Sequence, residues 1–279
     1  MRNKKIIIIS ASSDIGTAMC RRWRKKGLEI SGTYRTESAA LDKLRRIGVK
    51  LVSCDLQNEE EINEACSYLK SACPGWDALI LCPGTQSPIG SFIETDFGDW
   101  EKSVKVNLIS QLNIVRRLLP DRNKNNSLGA CVLFFAGGGT NTATVNYSAY
   151  TVSKIALIKM CELLDAEIHD SRFAIVGPGW VETKIHNETL KAGKKAGNNY
   201  AKAKNKLLHG TFTPMNKVLD CCDWIINSPR EIVSGRNFSV VSDMWGDSLL
   251  SEKLKAQPDM YKLRRNANNS LIRKKDGKL

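Results

Sequence analysis

Tyr150 and Lys154 stand four residues apart in the run SAYTVSK, residues 148–154. On a helix that spacing puts a phenol and an ammonium on one face, one turn apart. A free phenol has a pKa near ~10, too high to trade protons at neutral pH. A neighbouring cation favours the phenolate and lowers that value. Tyr150 would then be a general acid and base, able to protonate an alkoxide or deprotonate an alcohol. Ser148, Ala149, Thr151, Val152 and Ser153 are small enough to let another molecule reach the pair. A second patch of chemistry is ISASSDIG, residues 9–16, a small-residue turn leading into a helical pattern. Such a turn offers a phosphate unpaired N–H groups and the positive end of a helix dipole. Ser12, Ser13 or Asp14 could equally be an ordinary helix cap. His169, His186 and His209 lie far apart, with no ligand or nucleophile pattern. The nine cysteines show no zinc spacing, so no metal is expected.

The elements that must position these groups are legible as a pattern. Short β-branched runs alternate with longer amphipathic stretches up to about residue 180. Strands are predicted at 4–9, 28–34, 49–53, 78–81, 130–135 and 173–176, with a last one near 237–241. Helices are predicted near 15–26, 37–47, 58–72, 96–120, 148–170 and 214–227. This alternation predicts an α/β fold, a parallel sheet with helices on both faces. Right-handed crossovers bring the strand C-terminal ends to one edge, where open α/β sheets bind ligands. The second strand ends in Tyr34-Arg35, with no carboxylate for a ribose 2′-hydroxyl. Arg35 suits a 2′-phosphate, so the choice leans to NADP over NAD. Asp55, beyond the third strand, could accept from an adenine amino group or cap the next helix. Residues 179–210, polar and rich in Lys, Asn, Gly and Ala, read as a lid over a site or as a surface loop. From Asp247 onward the chain is basic and lacks strong apolar periodicity, and its last dozen residues are expected to be mobile.

With 279 residues, 42% of them hydrophobic and 25% charged, the chain can bury a substantial core. No apolar run is long enough to cross a bilayer, and Ser10–Asp14 cuts off Ile6–Ile9 too early for a signal peptide. The scattered cysteines read as reduced packing thiols, which points to the cytoplasm. The net charge of +13 gathers in clusters such as Arg21–Lys26 and Arg273–Lys275. No nucleic-acid motif accompanies it, so nucleic acid is disfavoured as a partner. An anionic small molecule accounts for part of the excess, and the lysines at 184, 191, 194, 195, 202, 204 and 206 in the lid suggest a sugar phosphate or nucleotide sugar.

In their order and spacing, these segments resemble the short-chain dehydrogenase/reductase family over residues 1–245. ISASSDIG stands where the family has its TGxxxGxG cofactor loop, and CDL (54–56) where it has an adenine-contacting Asp. DALILCPG (77–84) stands where a family strand ends in NNAG. Trp100 and Asn107 in WEKSVKVN match a helix carrying a structural and catalytic Asn. YTVSK matches the YxxxK motif, and GPGWVET (177–183) matches PGxVxT.

The resemblance implies one Rossmann-type domain over residues 1–246, a doubly wound parallel sheet of about seven strands. The lid at 179–210 would belong to it, and 247–279 would be a basic extension. It implies NAD(P)-dependent oxidoreduction of carbonyls and alcohols on a small-molecule substrate. Tyr150 would then be the proton donor or acceptor. Lys154 would bind the nicotinamide ribose and depress the Tyr pKa, and Asn107 would hold a water joining Lys154 to solvent. The pyrophosphate would face Ser10, Ser12, Ser13, Asp14, Ile15 and Gly16. Arg35, Asp55 and Leu56 would meet the adenosine half, and Gly84, Tyr150, Lys154, Pro178 and Thr183 the nicotinamide half. Family members pair through the helices that carry Asn107 and Tyr150, which implies a homodimer or homotetramer.

Three departures qualify this. Ser10 and Asp14 replace two loop glycines, and Leu81-Cys82-Pro83 replaces NNA. Ala136 or Gly137 stands where the family has a catalytic Ser. Losing such a donor costs roughly 10²–10³ in rate unless Thr140, Thr142 or Ser148 supplies a hydroxyl. The expected function is an NADP-preferring reductase or dehydrogenase. The alternative is a dinucleotide-binding sensor or scaffold with weakened catalysis.

Overall fold

Ile6–Ile9 form the middle of the molecule. In a strand, successive side chains point to opposite faces, and all four are fully buried. Ile6 and Ile8 enter one apolar core, Ile7 and Ile9 the other. A strand buried on both faces needs helices above and below it. The computed structural model, which describes residues 4–265, supplies them.

Seven strands, β1 (Lys5–Ile9), β2 (Glu29–Tyr34), β3 (Lys50–Ser53), β4 (Ala78–Leu81), β5 (Ala130–Phe135), β6 (Ser171–Gly177) and β7 (Arg236–Ser239), make one sheet in the order β3-β2-β1-β4-β5-β6-β7. Every pairing is parallel, with Ile6 opposite Ala78 and Ile8 opposite Ile80 at the centre. The expected doubly wound sheet is therefore present. Helices α1 (Asp14–Lys25), α2 (Ala39–Arg46) and α9 (Met215–Asn227) cover one face through residues such as Trp23, Leu44 and Ile225. Helices α3 (Glu59–Ala72), α5 (Ser110–Leu118) and α6 (Ser148–Glu167) cover the other through Leu69, Val115 and Leu157. A single turn, α10 (Arg230–Val233), leads into β7. The basic run Arg21–Lys26 is largely structural: Arg22 pairs with Asp220, and Lys26 with Asp223, both on α9.

Three details differ from the pattern-based expectation. The helix predicted over 96–120 is α4 (Phe97–Val104), a π turn (Lys105–Ile109) and then α5. The proposed lid holds two helices, α7 (His186–Ala192) and α8 (Asn198–His209), so it is folded rather than an open loop. Beyond Asp247, where the sequence shows no strong apolar period, α11 (Ser248–Ala256) buries Leu250 and Leu254 in the first core. Two leucines four residues apart make too short a stripe to stand out from a basic background. The guanidinium of Arg236, itself buried, donates to the carbonyls of Leu254 and Met260 and so ties this segment to the sheet. The residues Arg273–Lys275 and the tail expected to be mobile lie outside the described residues. Among the described residues, no helix is long and apolar enough to cross a membrane.

All nine cysteines carry free thiols. Burial pushes the thiols of Cys20 and Cys54 up to about 12, so they stay protonated and unreactive at neutral pH.

Candidate active site

Strand order reverses at β1, and the crevice outside the strand ends at such a point is where ligands fit. Here it is a cleft of ≈ 1220 Å³. The turn after β1 forms its inner wall. Ser10 sits at φ +60°, a left-handed backbone that only a few non-glycine residues adopt, with its N–H on the Thr33 hydroxyl at 3.0 Å. A Cβ on Gly16 would stand 2.6 Å from the Ser10 carbonyl oxygen, so no side chain fits there. Ser13 is the N-cap of α1, its hydroxyl accepting from the Gly16 N–H. Asp14 is thus free of capping; its carboxylate accepts from the Lys184 N–H at 2.8 Å and faces the Lys184 ammonium at 3.6 Å.

Ser10, Ser12, Ser13, Asp14, Ile15, Arg35, Asp55, Leu56, Gly84, Tyr150, Lys154, Pro178 and Thr183 all line this one cleft. Gly16 lies behind the turn and Asn107 behind the loop after β4. Arg35 is exposed and has no hydrogen bond or ion pair among the described residues. Asp55 accepts from the Gln57 N–H at 2.9 Å, while Asn58 caps α3, so Asp55 is not the cap.

At the floor, α6 presents Tyr150 and Lys154. The Lys154 ammonium, 2% exposed, donates to the Pro83 carbonyl at 3.2 Å and lies 5.8 Å from the Tyr150 ring centre. Pro83 stands at the family's Ala, and it is its main-chain carbonyl that accepts from Lys154. Among the described residues Pro83 is the ammonium's one hydrogen-bond partner. Burial accordingly lowers its pKa to about 8.

The Tyr150 phenol corrects an expectation. Burial, and then the charge of Glu188, push it up to about 12 rather than down. The Lys154 ammonium, which donates to the Pro83 carbonyl, does not offset these two effects. Tyr150 is therefore a neutral phenol across the physiological range.

Asn107 sits in the π turn, fully buried. Its carbonyl accepts from the Thr85 N–H at 3.0 Å, and its amide donates to the Thr85 carbonyl at 2.8 Å and the Ser103 hydroxyl at 3.1 Å. It fixes the β4 loop that carries Pro83. Gln111, one turn on, donates to the Pro83 and Asn107 carbonyls.

Of the two positions considered for the missing Ser, Gly137 is the one beside the phenol. A Cβ there would meet the Tyr150 hydroxyl at 2.6 Å and its Cε1 at 2.5 Å. Ala136 is buried in the second core. Ser148 is engaged elsewhere, accepting from the Trp100 indole N–H at 3.0 Å. Thr140, Thr142 and Thr144 line the cleft.

Helix α7 packs over this floor. Glu188 accepts from the N–H groups of Gln86 at 2.5 Å and Ser87 at 2.8 Å, and from the Thr85 hydroxyl. Thr189 joins the Tyr147 hydroxyl to the Gln86 side chain. Trp180 stacks on His186 with ring centres 4.4 Å apart, and both line the cleft. Of the lid lysines, only Lys184 and Lys202 reach it. Sequence reasoning missed Glu188, because an acidic residue in a polar segment carries no signal of what it will face. Among the described residues, no group of three His, Cys, Asp or Glu side chains is placed to hold a metal.

A phenol and a buried ammonium under the reversal point of an open parallel sheet define a Rossmann-type oxidoreductase. The family model described as enoyl-(acyl carrier protein) reductase matches residues 9–241, and the chain belongs to the short-chain dehydrogenase/reductase family. It is 25% identical over 250 residues to human dehydrogenase/reductase SDR family member 2, mitochondrial, covering 86% of each chain. It is 22% identical over 235 residues to serine 3-dehydrogenase of Agrobacterium fabrum, covering 81% of this chain and 89% of that one. The crystal structure of the KRED1-Pglu enzyme shares the fold with a TM-score of 0.75 at 20% identity, covering 84% of this chain and 100% of that one. That of a variant actinorhodin polyketide ketoreductase with NADPH does so with a TM-score of 0.73 at 19% identity, covering 88% and 100%. The protein is an NAD(P)-dependent dehydrogenase/reductase acting on a small molecule.

Proposed function

We propose that the protein is an NADP-preferring carbonyl reductase in which Tyr150 gives the proton and Lys154 and Asn107 position it. The observation that carries this is the pairing at the cleft floor of the Tyr150 phenol with the buried Lys154 ammonium, 5.8 Å from its ring centre. The residues present fit a nicotinamide dinucleotide: the turn at 10–16 for the pyrophosphate, Asp55 and Leu56 for the adenine, and Gly84, Pro178 and Thr183 for the nicotinamide. Lys154 would hold the ribose hydroxyls. When bound, that cofactor supplies the hydride. Tyr150 then donates its proton to the carbonyl oxygen, and the resulting phenolate is stabilised by the Lys154 charge. A phenol raised to about 12 keeps its proton at pH 7, so the proton is in place for reduction, and the Lys154 charge stabilises the phenolate left when it is given up.

Arg35 supports NADP, since a guanidinium that lines the cleft with no hydrogen bond or ion pair among the described residues suits a 2′-phosphate. Arg35→Ala is expected to weaken NADPH binding about tenfold or more while leaving NADH within about twofold. Equal losses for both, measured by fluorescence titration, would remove the preference. Lys202 supports an anionic substrate such as a sugar phosphate. NADPH oxidation over a panel of carbonyl compounds, each with and without a phosphate, tests both substrate class and activity.

One observation favours the reading of a sensor or scaffold: Gly137 brings no hydroxyl, and the Tyr150 hydroxyl has no hydrogen-bond partner among the described residues. NADPH binding with no turnover across the panel would establish that reading instead. The helices carrying Asn107 and Tyr150 leave Phe97, Ile109 and Val152 about half exposed or more, which supports pairing into a homodimer or homotetramer. A monomeric mass by light scattering at micromolar concentration would exclude it. Free thiols throughout support a cytoplasmic location, which fractionation of tagged protein would check.

A further inference from the structure

The loop that faces the cofactor phosphates carries a carboxylate, Asp14, in the first turn of α1. An anion at a helix N-terminus competes with the phosphate for the same positive end of the dipole. Left alone, Asp14 would repel a dinucleotide, yet the rest of the cleft is built to take one. The Lys184 ammonium lies 3.6 Å from the Asp14 carboxylate, and the Lys184 N–H donates to it at 2.8 Å. Both residues line the cleft. Asp14 makes no other hydrogen bond or ion pair among the described residues, and the Lys184 side chain is 78% exposed, so nothing else holds it there.

We propose that Asp14 and Lys184 are a compensating pair in dinucleotide binding, with Lys184 supplying at the pyrophosphate the positive charge that Asp14 takes away. Lys184 is thereby a cofactor-binding residue, and Asp14 the reason it is needed. The inference rests on the oxidoreductase reading. A glycine at position 14 would need no such partner; here the anion in the loop and the cation in the segment after β6 form one unit. The main-chain bond from Lys184 to Asp14 also anchors the residue beside the loop, so that its ammonium stays within reach of the cleft.

The test is a double-mutant cycle on NADPH affinity, read by fluorescence titration in low salt. Lys184→Met is expected to weaken NADPH about five- to tenfold. Asp14→Asn, which keeps the shape and removes the charge, should tighten it severalfold. The double variant should return close to the unsubstituted protein. Because the effects are those of charge, all four affinities should draw together at about 1 M salt, where the screening length falls to roughly 3 Å. A brace that merely holds the lid would behave otherwise: both single variants would lose affinity, the double would be no worse than either, and salt would not erase the differences. That result overturns the proposal, as does an unchanged affinity for Lys184→Met. Failure of the unsubstituted protein to bind NADPH or NADH overturns the oxidoreductase reading and this inference together. Loss confined to the variants does not. Melting curves within a few degrees of one another would show that all four proteins are folded.

Discussion

Tyr150→Phe is expected to lower NADPH-dependent carbonyl reduction by about 10³-fold and to leave the NADPH dissociation constant within about twofold. The substitution removes one oxygen and keeps the ring that packs against Gly137, so the cleft retains its shape. What it deletes is the phenolic proton donor at the floor beside Lys154. The pH profile of the parent enzyme should follow from the two groups. Reduction needs the phenol protonated and the ammonium charged. The phenol keeps its proton up to about 12 and the ammonium loses its own above about 8, so kcat/KM should be level below pH 8 and fall as the pH rises through it. A rate that climbs through this window would mean that the phenolate, and hence alcohol oxidation, is the working direction. Retention of more than a tenth of the activity by Tyr150→Phe would remove Tyr150 from its assigned role.

Gly137→Ser is the counter-intuitive companion. By resemblance it restores a catalytic hydroxyl and should raise the rate. By geometry it should lower kcat by about 10²-fold, because a Cβ at 137 would stand 2.5–2.7 Å from three atoms of the Tyr150 ring and hydroxyl. Either the ring or the strand end must shift, and overpacking of this kind costs about 1–3 kcal/mol. A displacement of ~1 Å at a reacting group is enough for a loss of that size. The measurement is kcat/KM with the best substrate from the panel, alongside the melting temperature. A gain in rate with unchanged stability would show that Tyr150 has room to move aside, and that the enzyme lacks only the serine.

The sheet and its helices are legible in the sequence because their signals are repeated. Ile6–Ile9, the β-branched runs and the alternation of strand and helix each report the same architecture. The cleft is legible for a different reason: ISASSDIG, Asp55, Asn107 and Tyr150–Lys154 fall in one order, and the fold gathers them at one edge. What cannot be read is anything set by a pairing distant in the chain. Glu188 and the loop at 85–87 are about a hundred residues apart, and nothing in either segment announces the other. The acidity of Tyr150 is misjudged from sequence on the same ground. The spacing to Lys154 is local and visible, whereas burial and the approach of Glu188 exist only once α7 is packed against the loop at 85–87. Asp14 looks like a cap because its neighbours Ser12 and Ser13 could be caps too; the actual partner lies at Lys184.

The π turn at Lys105–Ile109 has a consequence for tolerance to insertion and deletion. Such a turn is an α-helix with one residue too many, and each residue advances a helix by about 100°. The surplus residue bulges out between α4, which carries Trp100, and α5, which covers the sheet. Deleting any one residue between 105 and 109 would let the helix regularise at no loss of length to speak of. It would keep α5 in phase but remove the bulge from which the Asn107 side chain reaches the Thr85 backbone. A stretch that looks interchangeable in composition thus holds the loop after β4 through Asn107, and single-residue length variants there should be far less tolerated than in the turns that join the strands.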